Sequence, residues 1–280
     1  IIVEDAAPAA EDEGIIEASS DASGVAKDDQ PTAATHVSVH DPSIVRSNED
    51  GTCYVLGSHT ASAKSSDLIQ WTQINFDYGN PENTPFYGNL QETFQVPFRW
   101  AGYNDGDCVG GYAIWAPDVI WNPYYEWEDG STGAYMLYCC TSSTWRRSCI
   151  SYLVSKTIDG TYTYVDTIVY SGFTKTGDPD GNSSRNTKWD NDYLNLTALI
   201  GKGSEGGIDE ISDSWFDAAG GWNNLYAPNA IDPNLFFDAD GEKLFMSYGS
   251  WSGGLFLLEL DPATGEAIYP GVDSTDEVSG

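Results

Sequence analysis

The sequence predicts an all-β protein of propeller type, with about three blades in the chain. Three observations carry that expectation. Ten Trp, seventeen Tyr and 29 Gly stand against two Met, a bias toward strands and tight turns over helices. Apolar runs at 235–237 and 244–248 flank Asp238-Ala239-Asp240-Gly241, a hairpin signal in which Gly241 takes positive φ cheaply and the aspartates tolerate the turn. A unit of this kind also recurs, and strand-rich units repeating along a chain are the mark of propeller blades.

The first unit opens at His40-Asp41-Pro42-Ser43-Ile44-Val45 and turns at Asn48-Glu49-Asp50-Gly51. Strands are expected at 52–57 and 63–65, and the unit closes at Trp71. The second opens at Ile114-Trp115-Ala116-Pro117-Asp118-Val119 and continues through strands at 134–139, 150–155 and 162–169. The third opens at Asn229-Ala230-Ile231-Asp232-Pro233 and ends with a strand over 254–260 before Asp261-Pro262-Ala263-Thr264-Gly265. Aligning the apolar runs places Asp41, Asp118 and Asp232 at the heads of successive first strands, 77 and 114 residues apart. Long insertions at 76–111 and 171–226 separate the units. Loops of that length in a compact domain are usually functional or disordered, which makes them candidate cleft walls.

Residues 1–35 are rich in Ala, Asp, Glu and Ser and hold no aromatic residue. They read as a disordered acidic leader or linker, unable to bury enough surface to offset ordering entropy. The repeated units then occupy 36–280. The chain opens on Ile1 rather than Met, which fits a removed signal peptide or a segment of a longer chain.

Charge and motifs exclude several classes. The net charge of −31, from 43 acidic against 12 basic residues, argues against a nucleic-acid partner, since phosphate binding wants Lys and Arg. No apolar stretch approaches the roughly 18 residues of a membrane span. There is no Gly-x-Ser-x-Gly elbow, phosphate loop or dinucleotide fingerprint. No Asp-x-Asp-x-Asp-Gly calcium loop is present. The five cysteines have no zinc spacing, and in an exported protein one disulfide could join two of Cys139, Cys140 and Cys149.

The residues left to carry chemistry are carboxylates and aromatics. Asp41 and Asp232 each precede a proline at the mouth of a strand, and repeat symmetry would aim both into one cavity. Carboxylates sharing a pocket shift each other's pKa, which suits acid–base hydrolysis. Asp118, with the order Pro-Asp, reads as a structural turn residue. His40, Trp115, Asn229 and Trp251 are candidate substrate contacts, the tryptophans by stacking on sugar rings, with core packing as the alternative use of each Trp.

Together these motifs resemble glycoside hydrolase family 43. The resemblance rests on His40-Asp41-Pro42-Ser43-Ile44, on Gly57-Ser58-His59 with 63–71, on Trp115-Ala116-Pro117-Asp118-Val119, on Ala230-Ile231-Asp232-Pro233-Asn234 and on 248–254. Within the family the sequence is most similar to endo-α-1,5-L-arabinanases. The resemblance implies a five-bladed propeller, secretion, and an inverting attack on arabinan or an arabinoxylan-type polysaccharide. Inversion uses two carboxyl groups spaced to admit a water. Asp41 would be the general base, and Asp232 the carboxylate that orients the general acid and raises its pKa. His40 and Trp115 would lie in the substrate cleft.

The family's acid is a glutamate in a Glu-Gly-Pro or Glu-Ala-Pro setting, and neither tripeptide occurs here. The resemblance therefore implies that the fourth and fifth blades form a separate segment or are absent. With them would go a histidine near a central metal, often calcium. The chain by itself is then expected not to hydrolyse. Two alternatives stand beside the endo-arabinanase reading: a family-43 α-L-arabinofuranosidase or β-xylosidase, and a non-catalytic carbohydrate-binding propeller.

Overall fold

Period-two alternation of apolar side chains builds three sheets. A computed structural model describes residues 34–103, 108–142, 147–174 and 213–268. Sheet one contains β1 (Ser43–Arg46), β2 (Cys53–Leu56), β3 (Ser62–Ser65) and β4 (Thr72–Asn75). Sheet two contains β5 (Ile114–Glu126), β6 (Thr132–Ser142), β7 (Ser148–Ser155) and β8 (Thr163–Ser171). Sheet three contains β9 (Asn234–Phe237), β10 (Leu244–Gly249), β11 (Leu255–Leu260) and β12 (Ala267–Ile268). Each sheet is an antiparallel meander in which strands adjacent in sequence pair. The expected hairpin at the third unit is present: Phe237 faces Leu244 across the turn, Gly241 has φ 74°, and the Asp238 carboxylate accepts the Glu242 and Lys243 N–H groups.

Sheet two is buried on both faces. Along β6, Tyr135, Leu137 and Cys139 join a core with Val45, Tyr54 and Leu56 of sheet one. The alternate residues Met136, Tyr138 and Cys140 join a second core with Leu244, Met246 and Leu258 of sheet three. One strand thus serves two cores because its pleat sends successive side chains to opposite faces. The turn between β11 and β12 docks on this second face. The Tyr138 and Tyr152 rings stack at 4.9 Å, and their hydroxyls donate to the Gly265 and Thr264 carbonyls at 2.6 and 3.1 Å.

The insertion 76–111 differs from its reading as a loop. It contains α1 (Leu90–Thr93) and α2 (Gln95–Ala101), with Asn89 accepting the Gln91 N–H at the first N-terminus. Leu90, Phe94 and Phe98 recur every fourth residue and pack on the sheet-one side. Trp100 turns the other way, donating its indole N–H to the Ser148 and Ser171 carbonyls. The helices fill the core instead of walling a cleft. Order also begins before residue 36, since Thr35 pairs with Ile69 and Trp71. The remainder of the proposed leader, most of the insertion 171–226 and the end of the chain lie outside the described residues.

No disulfide links any of the five cysteines, so the one open to the sequence is not formed. Cys140 lies behind Trp115, and burial pushes its thiol up to about 12, too high for a reactive thiolate. No described helix is long and apolar enough to cross a membrane.

Gly265 tests the docking of sheet three on sheet two. It has φ 81°, and a Cβ there would come within 2.3 Å of Met136 Cε and 2.8 Å of the Tyr138 hydroxyl. Gly265→Ala is expected to cost about 2 kcal/mol, from left-handed strain plus overpacking. Urea unfolding measures it, and an unchanged midpoint would contradict the packing described.

Candidate active site

Each first strand is entered through a corner of the same shape. Asp41, Ala116 and Asp232 each precede a proline and take φ 47°, 35° and 52°. These left-handed values are unfavourable for residues with a Cβ and, before proline, run against the usual extended preference. Their recurrence in all three sheets makes them a property of the unit. This corrects the alignment drawn from apolar runs. The counterpart of Asp41 and Asp232 in sheet two is Ala116, and Asp118 lies two residues further on, level with Ser43 and Asn234.

Those three level residues meet. Asp118 Oδ1 accepts the Ser43 hydroxyl at 2.6 Å, and Asp118 Oδ2 accepts the Leu235 N–H at 2.6 Å and the Asn234 side-chain amide at 3.2 Å. The Val119 N–H completes the loop by donating to Ser43 Oγ. One carboxylate therefore joins β1, β5 and β9. Its burial raises its pKa, and the donors around it pull the other way.

With the first strands so fixed, the corners open on one cleft of about 840 Å³. His40, Asp41, Trp115, Asp232 and Trp251 all line it, together with Ser58, His59, Ala116 and Ile231. Asn229 is the one candidate contact that does not. It is 1% exposed, and its side-chain amide donates to the Ser250 carbonyl at 3.4 Å, under the loop that carries Trp251. No described residue of either long insertion lines the cleft.

The two carboxylates are held alike. Asp41 Oδ2 accepts the Ser58 hydroxyl at 2.6 Å, with His40 Nδ1 2.8 Å away. Asp232 Oδ2 accepts the Ser250 hydroxyl at 2.7 Å. Burial raises the Asp232 pKa; the Ser250 bond opposes the rise, and the nearby Asp41 charge adds to it. At the rim Trp251 is 79% exposed, a large apolar ring offered to solvent. Opposite in sequence, His59 (φ 63°) rests on Tyr78 at 5.4 Å between ring centres. Both serines stand in motifs already noted in the sequence, where neither has a role: Ser58 and Ser250 follow their aspartates by 17 and 18 residues.

Calcium takes six to eight oxygen ligands, and among the described residues no three His, Cys, Asp or Glu side chains converge as a ligand group.

No protein-family model matches the chain. Individual relatives do. Extracellular endo-α-(1→5)-L-arabinanase 2 of Bacillus subtilis is 34% identical over 229 residues, 82% of this chain and 36% of that protein. The chain is a homologue of the endo-arabinanases. The extracellular endo-α-(1→5)-L-arabinanase of Thermotoga petrophila is 34% identical over 238 residues, covering 85% of this chain and 39% of its own length. The crystal structure of endo-1,5-α-L-arabinanase from that organism superposes with TM-score 0.58 at 30% identity, over 85% of this chain and 42% of the other. A glycoside hydrolase family 43 protein, YxiA of Bacillus licheniformis, gives TM-score 0.55 at 31% identity, over 85% of this chain and 42% of its own. The chain thus spans less than two fifths of the length of the two arabinanase sequences it matches.

The Asp118 junction makes a stability prediction. Asp118→Ala strands the Leu235 N–H and the Ser43 hydroxyl in a part-buried setting, while the exposed Asn234 amide turns to water, and a loss of about 2 kcal/mol is expected. Chemical denaturation reads it directly; a variant as stable as the parent would show that the three strands are held by packing alone.

Proposed function

We propose that this chain carries the base-bearing part of an inverting endo-α-1,5-L-arabinanase site. The observation that supports it most is the placement of Asp41 and Asp232 on matching corners of one cleft, beside exposed and half-buried tryptophans. The architecture proposed is a five-bladed propeller, of which the three described sheets are blades. An extracellular location is proposed with it, since both arabinanase relatives are named extracellular.

Asp41 is the general base in this reading. Its Oδ2 is occupied by Ser58 and His40, and Oδ1 remains to take a proton from a water attacking the anomeric carbon. The cleft volume leaves room for that water between carboxylate and sugar, as inversion requires. Asp232 contributes negative charge. Beside a protonated carboxyl it raises that group's pKa and keeps it a proton donor at higher pH, by like-charge repulsion. The donor itself is supplied from outside the described residues, because the cleft lining holds these two aspartates and no glutamate. Trp115 and Trp251 provide faces for successive arabinose rings, and a chain lying across both is cut internally.

The test uses the full-length protein on linear α-1,5-arabinan. Oligosaccharide products with inverted anomeric configuration by NMR are expected; arabinose alone would favour an exo-acting enzyme, and no cleavage with retained binding would favour a binding module. Asp41→Asn is expected to lower kcat by about 10²–10⁴-fold while oligosaccharide binding persists. Substantial residual turnover would overturn the base assignment. Trp251→Ala, which deletes an exposed stacking face, is expected to raise KM about tenfold with little change in kcat, measured with arabino-oligosaccharides of increasing length.

A further inference from the structure

We propose that Ser58 and Ser250 are positioning residues for this reaction, each committing its hydroxyl proton to Oδ2 of one cleft aspartate and leaving Oδ1 to meet water or substrate. The proposal rests on the hydrolase reading above and assigns what sets the orientation of its two carboxylates.

A serine hydroxyl has one proton to donate and two lone pairs to accept with. At Ser58 both capacities are used. The Ala116 N–H donates to Ser58 Oγ at 2.8 Å, and Ser58 Oγ–H donates to Asp41 Oδ2 at 2.6 Å. With the backbone donor fixing where the lone pair points, the hydroxyl proton turns to the carboxylate. Ser58 is 3% exposed, so water competes poorly for it. His40 Nδ1 approaches the same oxygen from the solvent side at 2.8 Å. Asp41 is thereby held by one edge, and among the described residues no donor reaches Oδ1. A general base needs that arrangement: a fixed carboxylate with one lone-pair-bearing oxygen open to the attacking water.

Ser250 repeats the device. Its N–H donates to the Gly254 carbonyl at 3.0 Å, its own carbonyl accepts from buried Asn229, and its φ is 95°. A pinned backbone therefore delivers the hydroxyl to Asp232 Oδ2 at 2.7 Å. This bond favours the ionised carboxylate against burial and the Asp41 charge. Asn229, absent from the cleft lining, acts one step back by holding the Ser250 loop. Sheet two has the same corner without a carboxylate, and there the Ala116 N–H supports Ser58. The left-handed corner of one sheet thus orients the carboxylate of another.

The experiment compares Ser58→Ala, Ser58→Thr, Ser250→Ala and Asp41→Asn in the full-length protein on linear arabinan, with kcat, KM and pH profiles. Loss of one hydrogen bond to a charged group should lower kcat about 10- to 100-fold in Ser58→Ala with KM nearly unchanged. Ser58→Thr, which restores a hydroxyl, should recover most of that loss. In Ser250→Ala the acid limb of kcat/KM should move to higher pH, because Asp232 loses the bond that favours its ionised form. Parental kcat in Ser58→Ala alongside an inactive Asp41→Asn would overturn the serine assignment and leave the hydrolase reading standing. A Ser58→Thr variant as slow as Ser58→Ala would also overturn it, by showing that bulk and not the hydroxyl matters. Full turnover in Asp41→Asn would overturn both.

Discussion

The Asp118 carboxylate is the constraint on which the rest of the site depends. Three first strands from three separate sheets come together at it: β5 supplies the carboxylate, β1 a hydroxyl from Ser43, and β9 both the Leu235 backbone N–H and the Asn234 amide. A carboxylate suits the position because its two oxygens accept several bonds at once. A neutral apolar residue would leave those donors unmet, a cost that burial makes larger. Fixing the three strands at this level also fixes what stands two residues earlier in each, and that is where the cleft begins.

Those earlier positions share a strained backbone. A left-handed residue before proline is uncommon, and finding it at Asp41, Ala116 and Asp232 means that the surrounding unit over-determines it. Strain of this kind has a use: it throws the side chain sideways, out of the sheet's pleat and into the space between units. Two carboxylates thus reach one cleft without either being carried on a flexible loop. One serine hydroxyl holds each of them, and at Asp232 the nearby Asp41 charge adds to the rise that burial causes.

Much of this was legible in the sequence because strands and turns write short-range signals. The Asp238–Lys243 hairpin, all four strands of the second unit, the first three of the other two and the convergence of Asp41 and Asp232 follow from apolar alternation and from a motif that repeats, whereas β4 and β12 at the sheet edges do not. Register was less legible. Apolar runs aligned Asp118 with the two catalytic candidates because β5 is long and its pairing shifts between Trp115 and Asp118, and a bulge is invisible to a pattern of two. Asn229 reads as a candidate contact in the sequence, yet a side chain's direction depends on a loop that sequence does not fold. The helices inside 76–111 were hidden by length, since α1 and α2 together show barely two helical turns of spacing around Leu90, Phe94 and Phe98. The spacing of four was there, but buried among glycines and asparagines that speak for loops.

The alanine at the middle corner has a consequence for descent. Three copies of one structural unit offer three sockets of the same backbone shape, and only two of them hold an acid. Two of the four alanine codons lie one nucleotide from an aspartate codon, so the number of acidic groups facing the cleft can change by point mutation while Pro117 and the left-handed turn stay in place. A lineage built on this unit can therefore gain or lose chemistry one socket at a time, with the scaffold inherited intact.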